Sequence, residues 1–401
     1  MRCQVFLRDD WRFALYNRAM LKEFDLSLLT EPLLEWYEKN KRTLPWRETV
    51  SPYRIWVSEI MLQQTRVEAV KPFFERFTKR LPDVKFLAEC PEDELLKLWE
   101  GLGYYNRVRN MQKAAIQVME EYAGELPADY EALLGLKGIG SYTAGAIASI
   151  AYQIPVPAVD GNVLRILTRV SEDDTDIMKA SFRKQVEEQL AAYMQSNAFD
   201  TKRSGDFNQA LMELGATVCV PNGAPNCEVC PWGNVCQARK NNRIPELPVK
   251  TKAKDRRIEK RTVFVIRDGE RVAIRKRPKK GLLAGLYELP NVEGYLTQEQ
   301  ALAYVKEQAL APIRIQKLPE AKHIFSHVEW QMQGYAVLIE EPELSVGHAG
   351  ENDVRGEQQE QSLLYVEAAT SEEQYAIPAA FAAYARYMGI KIGQERFLSE
   401  E

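Results

Sequence analysis

The chain has 401 residues, 45% hydrophobic and 27% charged, the balance of a soluble globular protein long enough for two cores. The first residues, MRCQVFLRDDWRF, are too polar for a secretory signal, and no apolar run is long enough to span a membrane, so neither a secreted nor a membrane protein is expected. The net charge of −4 gives no overall basic field, but the charge is uneven: between Arg239 and Arg261 ten Lys/Arg stand against three Asp/Glu, whereas acids dominate Glu340–Glu360.

Residues 1–30 read as an N-terminal extension, and residues 31–240 as an all-helical domain. Ser51 and Pro52 make a helix start, Ser as N-cap and Pro at the first helical position. DELLKLWE (93–100), RNMQKAAIQVMEEY (109–122), SFRKQVEEQLAAYM (181–194) and DFNQALMELGATV (206–218) carry apolar residues at helical spacing. RIPELPVKTKAKDRRIEKR closes this part, and 241–261 is expected to be a basic linker. Beyond it the periodicity changes to that of strands. RTVFVIRDGERVAIRKR (261–277) reads as a hairpin about Asp268 and Gly269. Further strands are expected at Ile324–Trp330, Gln333–Ile339 and Ser362–Val366, with helices at Thr297–Gln308 and Ala379–Met388. The second domain is thus α+β, over 262–390, followed by a tail at 391–401.

Four features carry chemistry. In LKGIGSYTAGAIASIA (136–151), Gly138 and Gly140 flank Ile139 between two helices. Such a turn lets the backbone approach a ligand and leaves the next helix's first amides as an anion site suited to a phosphate. In AVDGNVLRIL (158–167), Asp160 is placed to N-cap an apolar helix, which also favours an ionised carboxylate able to stabilise a cationic sugar. Glu59 shares a helical face with Ile55 and Leu62, where desolvation favours the neutral acid. An acid near a leaving group and a carboxylate near a cation-like sugar is the logic of glycosidic cleavage. Finally, Cys219, Cys227, Cys230 and Cys236 follow a C-x7-C-x2-C-x5-C spacing, a thiolate set for zinc or for an iron–sulfur cluster rather than a disulfide framework.

These motifs, in this order, resemble the helix-hairpin-helix DNA glycosylases of the endonuclease III superfamily. TLPWR (43–47), WVSEIMLQQTRV (56–67), WEGLGYYNRVRN (99–110) and HIFSHVEW (323–330) are similar to the MutY-type adenine glycosylases within it. The resemblance covers residues 31 to about 390. It implies a monofunctional glycosylase of base excision repair that flips out adenine paired with 8-oxoguanine or guanine in double-stranded DNA. It implies Glu59 as the acid protonating adenine N7, Asp160 as stabiliser of the oxocarbenium ion, and Tyr142 and Asn162 as supports of Asp160 and the flipped nucleotide. Arg42, Arg47 and Gln209 would line the adenine pocket, Leu62 would contact the substrate, and Gly138 and Gly140 would grip the backbone. Gln64 and Tyr104 would act as wedges, with Thr65 and Leu102 against the opposite base and Phe325, Ser326 and His327 reading 8-oxoguanine. The four cysteines would hold a [4Fe–4S] cluster, placed ahead of zinc, although the family has six residues between the first two ligands and VPNGAPN has seven. GLYELP (285–290) is similar to the start of a Nudix signature whose glutamate-rich core is missing, which fits recognition rather than hydrolysis of a nucleoside triphosphate. A bacterial, cytoplasmic, nucleoid-associated monomer without membrane contact follows from the same resemblance.

Two other readings compete. A bifunctional glycosylase/lyase needs a hairpin lysine for a Schiff base, and the matching position holds Tyr142. A non-catalytic damage-binding protein has no need of both Glu59 and Asp160.

Overall fold

The computed structural model describes residues 25–251, 255–340, 362–390 and 392. The expected extension therefore lies outside the described residues up to position 24, as does nearly all of the tail. Two compact units account for the chain. One holds the described residues of Met1–Gln64, Asp83–Lys85 and Lys113–Lys252; the other holds those of Thr65–Pro82, Phe86–Gln112 and Ala253–Glu401.

The first unit is helical: α1 (Ser27–Asn40), α2 (Pro45–Glu48) and α3 (Pro52–Leu62) lead into it. The second unit takes α4 (Val67–Arg80), while α5 (Val84–Glu89) straddles the division. Then come α6 (Glu92–Leu98), α7 (Asn106–Glu121), α8 (Tyr130–Gly135), α9 (Ser141–Tyr152), α10 (Gly161–Ser171), α11 (Ala180–Met194), α12 (Ser204–Thr217) and α13 (Gln237–Lys240). The Ser51 side chain accepts the Arg54 amide at 3.1 Å, and Pro52 opens α3, as its sequence predicts. Leu33, Leu164, Val186 and Leu211, from α1, α10, α11 and α12, meet in one buried core. Gly145 allows a close approach there: a Cβ on it would stand 2.1 Å from the Pro157 carbonyl oxygen, so α9 touches the strand of chain that delivers Asp160.

The sheet of the second unit has strands β1 (Arg257–Asp268), β2 (Arg271–Lys276), β3 (Tyr287–Glu288), β4 (Asn291–Glu293), β5 (Pro312–Ile324), β6 (Val328–Ile339) and β7 (Leu364–Glu367). The order along the main path is β3-β2-β1-β6-β5, with β4 on β1 and β7 on β2. β1 and β6 run parallel, with Val263 opposite Gly334, and the other pairs are antiparallel. β1 is apolar on both sides because both its faces are covered. Val263 and Val265 pack with Trp330 and Phe381, while Phe264 and Ile266 pack with Val305 of α14 (Gln298–Glu307) and with Tyr335. Thr297 and Gln300 close a capping box at the start of α14.

Three expectations change. Ile324–Trp330 is not one strand: Phe325–His327 turns between β5 and β6, closed by the Phe325 amide on Val328 O at 2.8 Å. The preceding strand escaped notice because β5 is an edge strand whose residues are mostly exposed and polar. The 241–261 stretch is not an open connector. Leu247 is buried, Val249 O accepts the Ile177 amide at 3.1 Å, and β1 already begins at Arg257. Residues 65–82 and 86–112, read from sequence as part of one helical domain, group with the sheet. Among the described residues no helix is long and apolar enough to cross a membrane.

Candidate active site

In the first unit, α3, α9, α10 and α12 supply the chemistry. Glu59, in the last turns of α3, is only 6% exposed. The Tyr142 hydroxyl, from the first turn of α9, donates to Glu59 Oε2 in a short hydrogen bond, and Met212 Sδ lies 3.1 Å from the same phenol oxygen. Burial lifts the Glu59 carboxyl to about 7, aided by the charge of Asp160 and opposed by Tyr142 and Arg47. The Tyr142 phenol is itself raised well above its usual value, first by burial and then by Glu59 and Asp160, so it stays a neutral donor.

Asp160 caps α10. Its Oδ1 accepts the amides of Asn162 and Val163, each at 2.8 Å, and its Oδ2 accepts Asn162 Nδ2 at 2.7 Å. Burial raises its carboxyl; those three donors and Arg165 pull the other way. Asn162 is in turn fixed by Arg165, whose Nη2 donates to Asn162 Oδ1 at 2.7 Å. The same guanidinium donates to Gly215 O at 2.7 Å and to Cys219 O at 2.8 Å. Gly215 has to be a glycine, since a Cβ there would stand 2.6 Å from Asn162 Cβ. A continuous polar chain thus runs from Asp160 through Asn162 and Arg165 to the first cysteine of the loop.

Asn208 braces the approach to Asp160 from α12. It donates to Ser149 Oγ at 2.8 Å and Val156 O at 2.9 Å, and accepts the Ala158 amide at 3.0 Å. One turn along, Glu213 gathers the expected pocket residues. Its buried carboxylate pairs with Arg42 Nε at 2.5 Å and Arg47 Nη2 at 2.9 Å, and Arg47 Nε reaches Gln209 Oε1 at 3.1 Å. Burial alone would raise Glu213, but the two guanidiniums outweigh it and hold the carboxyl below its usual value. Glu213, Arg165 and Asn208 were not singled out from sequence. The available signal was a charged or amide side chain inside an apolar helical run, which requires a buried partner.

The hairpin tip is as its glycines predict: Gly138 has φ +79°, Gly138 and Gly140 are exposed, and Ile139 is buried. Gly140 caps α9 without a side-chain bond to its first amides, and Ser141 Oγ donates to Glu187 Oε1 at 2.9 Å. Gln64 stands exposed with φ 59°, an uncommon backbone for a side-chain-bearing residue, and Leu62 ends α3 partly buried.

The other expected contacts belong to the second unit. Thr65 is partly buried there. Tyr104 is 51% exposed with φ 48°, and its hydroxyl lies 2.9 Å from Ser326 Oγ in the β5–β6 turn. Phe325 packs edge-on against His323 and Trp330, while Ser326 and His327 are exposed. Leu102 is 5% exposed, and its carbonyl oxygen accepts Arg107 Nη2 at 3.0 Å.

The four cysteines line one pocket with Val218, Pro225 and Ile244. Among the described residues no three His, Cys, Asp or Glu are arranged to hold a single metal ion. The Cys230 thiol is pushed up to about 12 by burial, against the Trp232 amide; Cys236 is raised by burial against the Arg239 and Ala238 amides. Sulfur atoms in an apolar setting with amides aimed at them suit a bound thiolate cluster. Arg169 Nη1 adds a donor 3.3 Å from Cys219 Sγ. The extra residue of the first spacing falls in a loop closed by the Asn226 amide on Val218 O at 3.0 Å. Positions 221–224 of that loop are exposed and Gly223 has φ +79°. The longer loop bulges into solvent and leaves both cysteines on the pocket.

Comparison with known proteins agrees in both halves. Residues 57–192 match the family described as HhH-GPD superfamily base excision DNA repair protein, and residues 262–387 match a NUDIX domain. The adenine DNA glycosylase of Mus musculus is 35% identical over 387 residues, covering 81% of this chain and 73% of the mouse protein. The adenine DNA glycosylase of Buchnera aphidicola subsp. Baizongia pistaciae is 32% identical over 311 residues, covering 77% and 86% respectively. Among solved structures, a thermostable thymine-DNA glycosylase is 25% identical with a TM-score of 0.47, over 55% of this chain and 99% of that one. A non-covalent endonuclease III–DNA complex gives 22% and 0.45, over 55% and 98%.

Arg165→Met removes a guanidinium that serves three acceptors, Asn162 Oδ1, Gly215 O and Cys219 O. With each buried unpaired acceptor costing about 1–3 kcal/mol, a stability loss of about 3 kcal/mol or more is expected. Denaturant unfolding measures it; an unchanged midpoint would show that the chain from Asp160 to Cys219 bears no weight in the fold.

Proposed function

The chain belongs to the adenine DNA glycosylase family, and from that premise we propose how Glu59 and Asp160 divide the work of removing adenine. The enzyme is a monofunctional base-excision hydrolase of an N-glycosyl bond in DNA. The observation that carries the division is the contrast between its two carboxyls. Glu59 is buried against a phenol and lifted to about 7; Asp160 accepts three hydrogen bonds at a helix N-terminus and keeps part of its surface open.

In this reading Glu59 enters protonated. Tyr142 donates to Oε2, which leaves Oε1 to carry the proton given to adenine N7. Protonation makes the base a leaving group, and the C1′–N9 bond breaks with its electron pair going to the base. The sugar becomes an oxocarbenium ion. Asp160, ionised and held by Asn162 and the α10 amides, stabilises that cation. Water then adds at C1′ and gives its proton to the Glu59 carboxylate, which restores the acid and leaves an abasic site. Tyr142 occupies the position where a lyase carries its amine, so the strand stays intact. The flipped adenine is received beside Arg42, Arg47 and Gln209, with Gly138 and Gly140 on the phosphates and Gln64 and Tyr104 filling the vacated stack. The turn Phe325–His327 reads 8-oxoguanine, or less well guanine, opposite the adenine, with Thr65 on the same strand. Ser326, hydrogen-bonded to Tyr104, and His327 are both exposed, which supports this. The enzyme acts as a monomer.

Cys219, Cys227, Cys230 and Cys236 would hold a [4Fe–4S] cluster, whose contribution is to fix the loop and, through Cys219 O and Arg165, the Asp160 cap. Purified protein is expected to carry iron and acid-labile sulfide at about four atoms each per chain. Zinc with no labile sulfide would contradict the assignment.

The pH profile tests the two carboxyls. Glu59 is the working acid only below about 7, so base release must fall as pH rises through that value. Asp160 must be ionised, and its carboxyl is raised as well, so release must also fall on the acid side. Single-turnover rates should trace a bell. Glu59→Gln is expected to remove the alkaline limb and to lower the rate roughly 10²–10⁴-fold, while Asp160→Asn binds the duplex but turns over at least about 10²-fold more slowly. An alkaline limb that survives in Glu59→Gln would assign it to another group.

A further inference from the structure

The segment from Asp93 to Glu100 has two faces. Leu95, Leu96 and Trp99 are buried, while Asp93, Lys97 and Glu100 recur at i, i+4 and i+7 along another side. Each of these three meets the sheet half of the same compact unit. Lys276 Nζ donates to Asp93 Oδ1 at 2.7 Å, Lys97 Nζ donates to Tyr375 O at 2.7 Å, and the Ile377 amide donates to Glu100 Oε1 at 2.8 Å. Lys97 and Glu100 also pair with each other at 2.8 Å, with side chains 12% and 3% exposed. The receiving loop is itself tied down: the Tyr287 amide donates to Ala376 O at 3.0 Å, and the Tyr287 and Tyr375 rings pack edge to face.

Glu100 lies just past the end of α6, in the turn that leads on to Tyr104. Gly101 and Gly103 have φ of 100° and 68°, so the connection is a tight run of turns. Trp99 Nε1 donates to Gly103 O at 3.0 Å, and Arg107 Nη2 donates to Leu102 O at 3.0 Å. The run is therefore stiff from within, gripped at its start by the Ile377 amide and met at its tip by Ser326.

We propose that the buried Lys97–Glu100 pair is a positioning clasp that sets where Tyr104 stands against the turn Phe325–His327, and so determines the preference for 8-oxoguanine over guanine opposite the adenine. The proposal rests on the reading of that turn given above. Neither residue touches DNA in this account; both act through Tyr104. Plain packing between helix and sheet would affect excision from every duplex alike, whereas a clasp acts on the substrate that the turn reads.

The test uses the full chain as wild type, Glu100→Gln, Glu100→Ala, Ser326→Ala and the Glu100/Ser326 double variant. Single-turnover base release is measured for adenine opposite 8-oxoguanine and opposite guanine. Hydrogen exchange of segments 375–378 and 325–328 is measured without DNA. Glu100→Ala should lower the 8-oxoguanine preference roughly tenfold, chiefly by slowing that substrate. Glu100→Gln keeps an acceptor for the Ile377 amide and should retain more of the preference. Ser326→Ala added to Glu100→Ala should take away little more, and exchange at Ile377 should quicken in Glu100→Ala. Equal slowing on both duplexes, or unchanged exchange at Ile377, overturns the clasp. A wild-type chain without any preference overturns the reading of the turn, and the DNA-free exchange arm tells that failure from a failure of the clasp.

Discussion

The Arg165 guanidinium is the constraint on which the catalytic half of this molecule depends. Burying an arginine is unfavourable unless its donors are used, and here they are spent on Asn162, Gly215 and Cys219. Three elements distant in sequence are thereby brought to one point: the start of α10, the end of α12 and the mouth of the cysteine loop. Asp160 inherits its orientation from this, because Asn162 holds one of its oxygens while helix amides hold the other. Gly215 and Gly145 remove the side chains that would keep these elements apart. The cysteine loop is thereby tied to a carboxylate that it does not touch.

Two glutamates show how one fold sets opposite protonation states with the same burial. Glu213 is sealed between two guanidiniums and is held ionised; Glu59 is sealed against a phenol and is held toward neutrality. The first can anchor Arg42 and Arg47 without accepting a proton. The second can give one. The difference lies in the partner and not in the residue type.

Much of this was legible in the sequence, and the reasons differ by residue. Ser51–Pro52 and Asp160 are local signals, decided within a turn of helix, and both hold. Glu59 was visible as a glutamate on an apolar stripe, but its partner Tyr142 is 83 positions away and no local pattern links them. Arg165, Asn208 and Glu213 are buried polar residues whose partners lie mostly 50 or more positions off, so their pairing waits on the tertiary fold. β5 was missed because an exposed edge strand has little apolar alternation to read. The grouping of 86–112 with the sheet was hidden because Asp93, Lys97 and Glu100 meet it through polar side chains, which a sequence reading assigns to solvent.

The products released from DNA distinguish a monofunctional adenine glycosylase from a lyase or a binder. A duplex with adenine opposite 8-oxoguanine should release free adenine and keep its strand intact until alkali is added, and the same adenine opposite thymine should stay in place. Strand cleavage without alkali, a borohydride-trapped protein–DNA adduct, or no adenine release from a duplex that the protein binds would contradict it.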